Sequence, residues 1–115
     1  MSREDAGTAI QRALAASMGP SAAEELALAQ VRVAWDEVVA EARLQRGPLS
    51  SRVRRVTGGT AHVEASDAML AQEIALRRDA LVWAVNERMR GRPGATIVLI
   101  GLAVSVGRIG FDSTL

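Results

Sequence analysis

The sequence predicts a small single-domain α+β fold, a three-stranded sheet packed on helices in the order α-α-β-β-α-β. Three observations predict it. A chain of 115 residues, 49% of them apolar, can enclose one core and has little room for two. Apolar residues recur at helical spacing from Leu28 to Ala42 and again from Leu70 to Met89. Between those stretches, apolar and polar residues alternate beside a Gly58-Gly59 turn, the pattern of a β-hairpin.

The elements follow in order. A thin stripe of Ile10, Leu14 and Met18 predicts a helix over Arg3–Met18, closed by Gly19-Pro20 and weak enough to fray. Ser21 followed by Glu24 reads as a capping box that opens a second helix, which runs to about Arg43. At 100° per residue Leu28, Val31, Trp35, Val38, Val39 and Ala42 share its core face. A strand is expected over Leu49–Val56 and another over Thr60–Ala65, whose Ala61, Val63 and Ala65 face inward. A three-residue loop with a left-handed glycine pairs Val53 with Val63 and Arg52 with Glu64. A two-residue loop would set Val53 against Glu64, and Val56 fits neither face, which allows a bulge.

Ser66 is the expected cap of one long helix, Asp67–Arg90, ended by Gly91. Leu70, Ile74, Leu81, Val82, Val85 and Met89 form one apolar face of that helix. Met69, Leu76, Ala80 and Trp83 form a second on nearly the opposite side. A helix apolar on two sides is expected to be sandwiched, here between the sheet and the second helix; the alternative makes the second stripe a partner surface. Ala95–Leu102 is the third strand, and Val104–Leu115 extends it or forms a tail. The organisation is thus residues 1–20 as an N-terminal helix, 21–103 as the domain and 104–115 as strand extension or tail.

Composition narrows the function. There is no cysteine, so disulfides and thiolate metal sites are excluded, and a reducing, cytoplasmic location is expected. The N-terminus carries Glu4 and Asp5 and lacks the apolar run of a signal peptide, and Ala95–Val106 is too short to span a bilayer. No membrane partner, cofactor or small-molecule substrate is expected. His62 is the sole histidine and lies on the outward side of its strand, where it and Glu64 supply at most two metal ligands. With no triad and no phosphate loop, no catalytic or metal residue is assigned and the chain is expected to be a binding protein rather than an enzyme.

All fourteen basic residues are arginine. Residues 1–41 hold three against seven acids, net −4; residues 42–115 hold eleven against six, net +5. Arg43, Arg46, Arg52, Arg54 and Arg55 fall within thirteen residues that contain no acid, a candidate nucleic-acid footprint. Without tyrosine, and with one phenylalanine, the chain lacks an obvious base-stacking platform. Met69, Leu76 and Trp83 are the candidate protein contacts.

Three segments together resemble the DciA family. Trp35-Asp36-Glu37-Val38-Val39-Ala40 is similar to its W-x-x-V-V-G, with Ala40 for the glycine. Thr57–Ser66 is similar to its turn and second strand. Leu70-Ala71-Gln72-Glu73-Ile74, then Leu81-Val82 and Val85–Gly91, resembles W-A-x-x-L followed by L-L-x-x-(L/I)-N-x-x-L-G, with Leu70 for the tryptophan. The resemblance runs from Val31 to Leu102. It implies a KH-like domain that binds the replicative DNA helicase, assists its loading and contacts single-stranded DNA weakly. The rival expectations are a KH-like RNA-binding module and a protein adaptor with no nucleic-acid role.

Overall fold

The computed structural model describes residues 20–107. The N-terminal helix expected at Arg3–Met18 and the last eight residues lie outside them. The described elements are α1 (Pro20–Glu41), β1 (Ser51–Thr57), β2 (Thr60–Ala65), α2 (Ala68–Leu76), α3 (Arg78–Met89) and β3 (Gly101–Val106). Three helices pack on a mixed three-stranded sheet of order β1-β2-β3, with β1 and β2 antiparallel and β2 and β3 parallel. A parallel neighbour cannot be reached by a tight turn, so α2 and α3 together form the crossover that β3 requires.

α1 buries the face that its spacing predicts: Val31, Ala34, Trp35, Val38 and Val39 lie in the core, with Leu28 and Ala42 packed at its margin. The helix already includes Pro20, so Ser21 sits within its first turn and is not the cap. Its C-terminus is a Schellman closure. Leu44 N–H reaches Val39 O at 2.9 Å and Arg43 N–H reaches Ala40 O at 3.2 Å, with Arg43 left-handed at φ 60°. Leu44, three residues beyond the end of α1, is then buried against the helix it has just left.

The hairpin keeps the predicted register by a different route. Its loop is the two-residue Gly58-Gly59, with φ of 58° and 81°, so Thr57 pairs with Thr60. On its own that loop would align Val53 with Glu64. A bulge between Val53 and Arg55 absorbs one residue and restores Val53↔Val63 and Arg52↔Glu64. The same bulge brings Val53 and Val56, three positions apart, to the inner face. Gly59 is required twice, since a Cβ there would lie 2.8 Å from the Ile100 side chain.

The long helix expected at Asp67–Arg90 is two helices. Asp67, not Ser66, caps the first, its carboxylate accepting from Leu70 N–H at 2.8 Å; Ser66 Oγ accepts from Ser50 N–H instead. At Arg77 the backbone leaves helical geometry (φ −102°, ψ 14°) and α3 begins. A straight 24-residue helix would be about 36 Å long, against strands of about 20 Å. The break lets α2 cover β2 and β3 while α3 turns to pack on α1 and β3. Leu70 and Ile74 of α2 join Leu81, Val85 and Met89 of α3 in the one core.

The third strand lies later than Ala95–Leu102. β3 is Gly101–Val106, and residues 95–100 approach it without joining the ladder until Ile100 N–H meets Gly59 O at 2.8 Å. Asn86 of α3 takes the place of a strand partner. Its side chain donates to Leu99 O and accepts from Leu99 N–H, both at 2.8 Å, which holds Leu99 in the core.

The sandwich expected for the second apolar stripe is overturned. Met69, Leu76 and Trp83 are 73%, 80% and 67% exposed, and Ala80 is exposed as well. Both α2 and α3 bury a single face, because the sheet and α1 lie on the same side of them.

Candidate interaction surface

The helices cover one face of the sheet, and the other carries Arg52, Arg55, Thr60, His62, Glu64 and Ser105. Glu64 is central there. Arg54 reaches it at 3.0 Å and Arg52 at 3.5 Å, so two guanidiniums share one carboxylate. Arg55 stands directly across from His62, exposed, with no ion pair among the described residues. His62 is half-buried on this outer face, between Arg55 and Ala103. Among the described residues no three His, Asp or Glu side chains gather where a metal could bind, and none of the helices is long and apolar enough to cross a membrane.

The arginine segment predicted as one patch is divided by the fold. Arg52, Arg54 and Arg55 belong to the outer sheet face. Arg46 turns to the helical side, where it meets Glu73 of α2 at 3.3 Å. Arg43 is exposed at the end of α1 and has no ion pair among the described residues. Its neighbour Ala42 accepts a hydrogen bond at 3.3 Å from Arg77, the residue at the helix break. Glu73 and Arg77 are one helical turn apart, so Arg43, Arg46 and Arg77 surround one corner, where α1 ends and α2 gives way to α3.

Sequence reading missed the work of three side chains that build these surfaces. Helical spacing puts Arg32 on the polar side of α1. Its Nε donates to Val53 O at 2.9 Å and its Nη2 to Arg54 O at 3.0 Å, satisfying carbonyls that the bulge exposes on the β1 edge. Glu37 accepts from Arg92 at 2.7 Å and from Arg88 at 3.3 Å, and Arg88 also pairs with Glu41. The Arg92 hydrogen bond and charge, with help from Arg88, hold the Glu37 carboxyl below the ordinary carboxylate range against a smaller opposing effect of burial. Those downstream arginines therefore tie α1 to α3 and the loop after it. Asn86 is the third. Asn86 stands inside the motif that resembles the DciA family, but its partner, Leu99, has no marker in the sequence.

The apolar residues also separate. Met69 and Leu76 lie on α2. Trp83 lines an open groove of about 470 Å³ between α1 and α3, with Val38, Ala42, Ala80 and Arg77. No protein-family model and no curated protein matches this chain. The surface chemistry includes bulky apolar groups on the helical layer, a basic corner beside them, and a sheet face on which Arg52, Arg54 and Arg55 stand around Glu64.

Proposed function

We propose that this chain is a non-enzymatic DNA-replication accessory factor of the kind its DciA resemblance implies. It binds the replicative helicase, assists its loading and touches single-stranded DNA weakly. The observation that carries the reading is the exposure of Met69 and Leu76, large apolar side chains displayed on α2. Exposed groups of this kind add nothing to the core and mark contact surfaces. The protein contact is assigned to this pair. Weak DNA contact falls to the arginines, whose phosphate contacts give no sequence preference.

Calorimetric titration of the host's replicative helicase with the full chain tests the proposal. Wild type binds, and a Met69→Ser/Leu76→Ser double variant binds at least about tenfold more weakly with an unchanged unfolding midpoint. A wild-type chain that gives no binding heat and is not retained by immobilised helicase contradicts the reading. A protein adaptor without a nucleic-acid role is the second reading, favoured by the pairing of Arg52 and Arg54 with Glu64 and of Arg46 with Glu73. Helicase binding that is independent of salt, in a chain that ignores oligonucleotides, selects it.

A further inference from the structure

Trp83 differs from the other exposed apolar residues in its surroundings. It lies in the groove between α1 and α3, whose walls include the apolar side chains of Val38, Ala42, Ala80, Leu81 and Ala84. Its indole has no hydrogen-bond partner among the described residues. The groove is uneven in charge. Towards the helix break it ends at Arg77, and the Arg77–Ala42 hydrogen bond places Arg43 and, through Glu73, Arg46 beside that end. Elsewhere it is lined by Glu41 and Glu87, which pair with Arg88 and Arg90. One flat aromatic surface thus shares its groove with Arg77, and beside that end lie Arg43 and Arg46, the latter paired with Glu73. An exposed Arg46–Glu73 pair contributes little and yields readily to a competing phosphate.

We infer that the α1–α3 groove is a single-stranded DNA site, in which Trp83 stacks on one base while Arg77, Arg43 and Arg46 hold the neighbouring phosphates. The inference rests on the nucleic-acid half of the proposed function and relocates that contact from the hairpin to the helical side. An aromatic face beside a basic track is the arrangement that binds single strands without reading their sequence, because every base offers a π-face. A duplex, with its bases already stacked on one another, offers Trp83 nothing. With one aromatic residue and three arginines the footprint is a few nucleotides and the affinity is low. Arg52 and Arg54, which share Glu64 on the outer sheet face, take no part.

The test is a titration of the full chain with oligothymidylate at several salt concentrations, read by tryptophan emission. Trp35 is buried, so a change in the iodide-accessible emission reports Trp83. The expected result is quenching and loss of iodide access on binding, and no such change with a duplex of equal length. Trp83→Ala should weaken binding about tenfold while the unfolding midpoint holds. Arg43→Gln and Arg77→Gln should each lower the log–log salt slope by about 0.7, and Arg52→Gln/Arg54→Gln should leave affinity and slope alone. Wild-type binding that is indifferent to Trp83→Ala and Arg77→Gln but lost in Arg52→Gln/Arg54→Gln overturns the inference and leaves DNA contact by the hairpin standing. Loss of helicase binding in Trp83→Ala with oligothymidylate affinity unchanged also overturns it, assigning Trp83 to the protein partner. No wild-type binding to any oligonucleotide removes both this site and the DNA half of the proposed function.

Discussion

The two tryptophans sit on helices with comparable apolar stripes, and their fates are opposite. Trp35 of α1 is 1% exposed and its indole N–H donates to Ser51 Oγ at 3.0 Å; Trp83 of α3 is 67% exposed. Local pattern separates them only in part: three and four positions away Trp35 has Val31, Val38 and Val39, while Trp83 has Ala80 beside Asp79, Asn86 and Glu87. Topology completes the separation. α1 has the sheet and α3 against its apolar face. α3 has those neighbours only on the side of Leu81, Val85 and Met89. The contrast teaches that helical periodicity identifies a stripe able to be buried, while the path of the chain decides whether anything arrives to bury it.

The largest effect expected from this contrast is at Trp35. Trp35→Ala removes a buried indole and orphans Ser51 in the core, at a cost of about 3–5 kcal/mol, close to the whole stability of a small domain. Urea unfolding followed by far-ultraviolet circular dichroism measures it. A loss below about 1 kcal/mol would place Trp35 outside the core.

Asn86 stands one turn from Trp83 on the same helix, but it works inward. Asn86→Ala leaves the Leu99 N–H and C=O without their partner and should cost about 1–3 kcal/mol. Faster hydrogen exchange at Leu99, with little change in the hairpin, is the matching signature. Equal protection in variant and wild type would mean that another group holds residues 95–100.

Arg43 tests the end of α1 in the stabilising direction. It occupies a left-handed position that favours glycine, so Arg43→Gly should raise stability by about 0.5–1 kcal/mol. The same change should lower the salt slope for oligothymidylate, because it removes a phosphate contact. Destabilisation would show that the Arg43 side chain supports the fold.

The Glu37 network should make the α1–α3 contact sensitive to acid. A carboxyl held below its unfolded value stabilises the fold at any pH above that value, about 4.3 for glutamate. The contribution disappears as pH falls through the lower, folded value. Acidification from pH 6 to 3 should therefore lower the unfolding midpoint of wild type more than that of Glu37→Gln. Parallel pH profiles would show that the Arg92 and Arg88 pairs contribute nothing measurable.

The smallest stability effect belongs to Trp83. Trp83→Ala should change stability by no more than about 0.5 kcal/mol, as for other surface positions, while it weakens ligand binding. A loss of several kcal/mol would restore the sandwich that the sequence led one to expect.

Much of the fold was legible because its signals are local. The face of α1 follows from spacing alone. The Val53–Val63 register follows from keeping apolar residues opposite each other, and the poor fit of Val56 already indicated the bulge. What stayed hidden depends on distant parts of the chain. The break at Arg77 has no glycine or proline to mark it and follows from the length of the sheet. The start of β3 depends on Asn86 taking the polar groups of Leu99, thirteen residues away. The candidate site divides in the same manner. The arginines were visible as a run of like charge, but the separation of Arg43 and Arg46 from Arg52, Arg54 and Arg55 is set by Glu73 and Glu64, acids on other elements. The place of Arg77 at that corner is set by its bond to Ala42, on another element.

Iodide quenching of the folded wild-type chain tests the contrast between the tryptophans most directly. Two emission components are expected, one from Trp35 that resists quenching and one from Trp83 that iodide reaches freely. Selective loss of the accessible component in Trp83→Phe would identify it. Emission that is wholly protected would put Trp83 in a core and remove the surface on which the DNA site depends; emission that is wholly accessible would put Trp35 in solvent and contradict the fold.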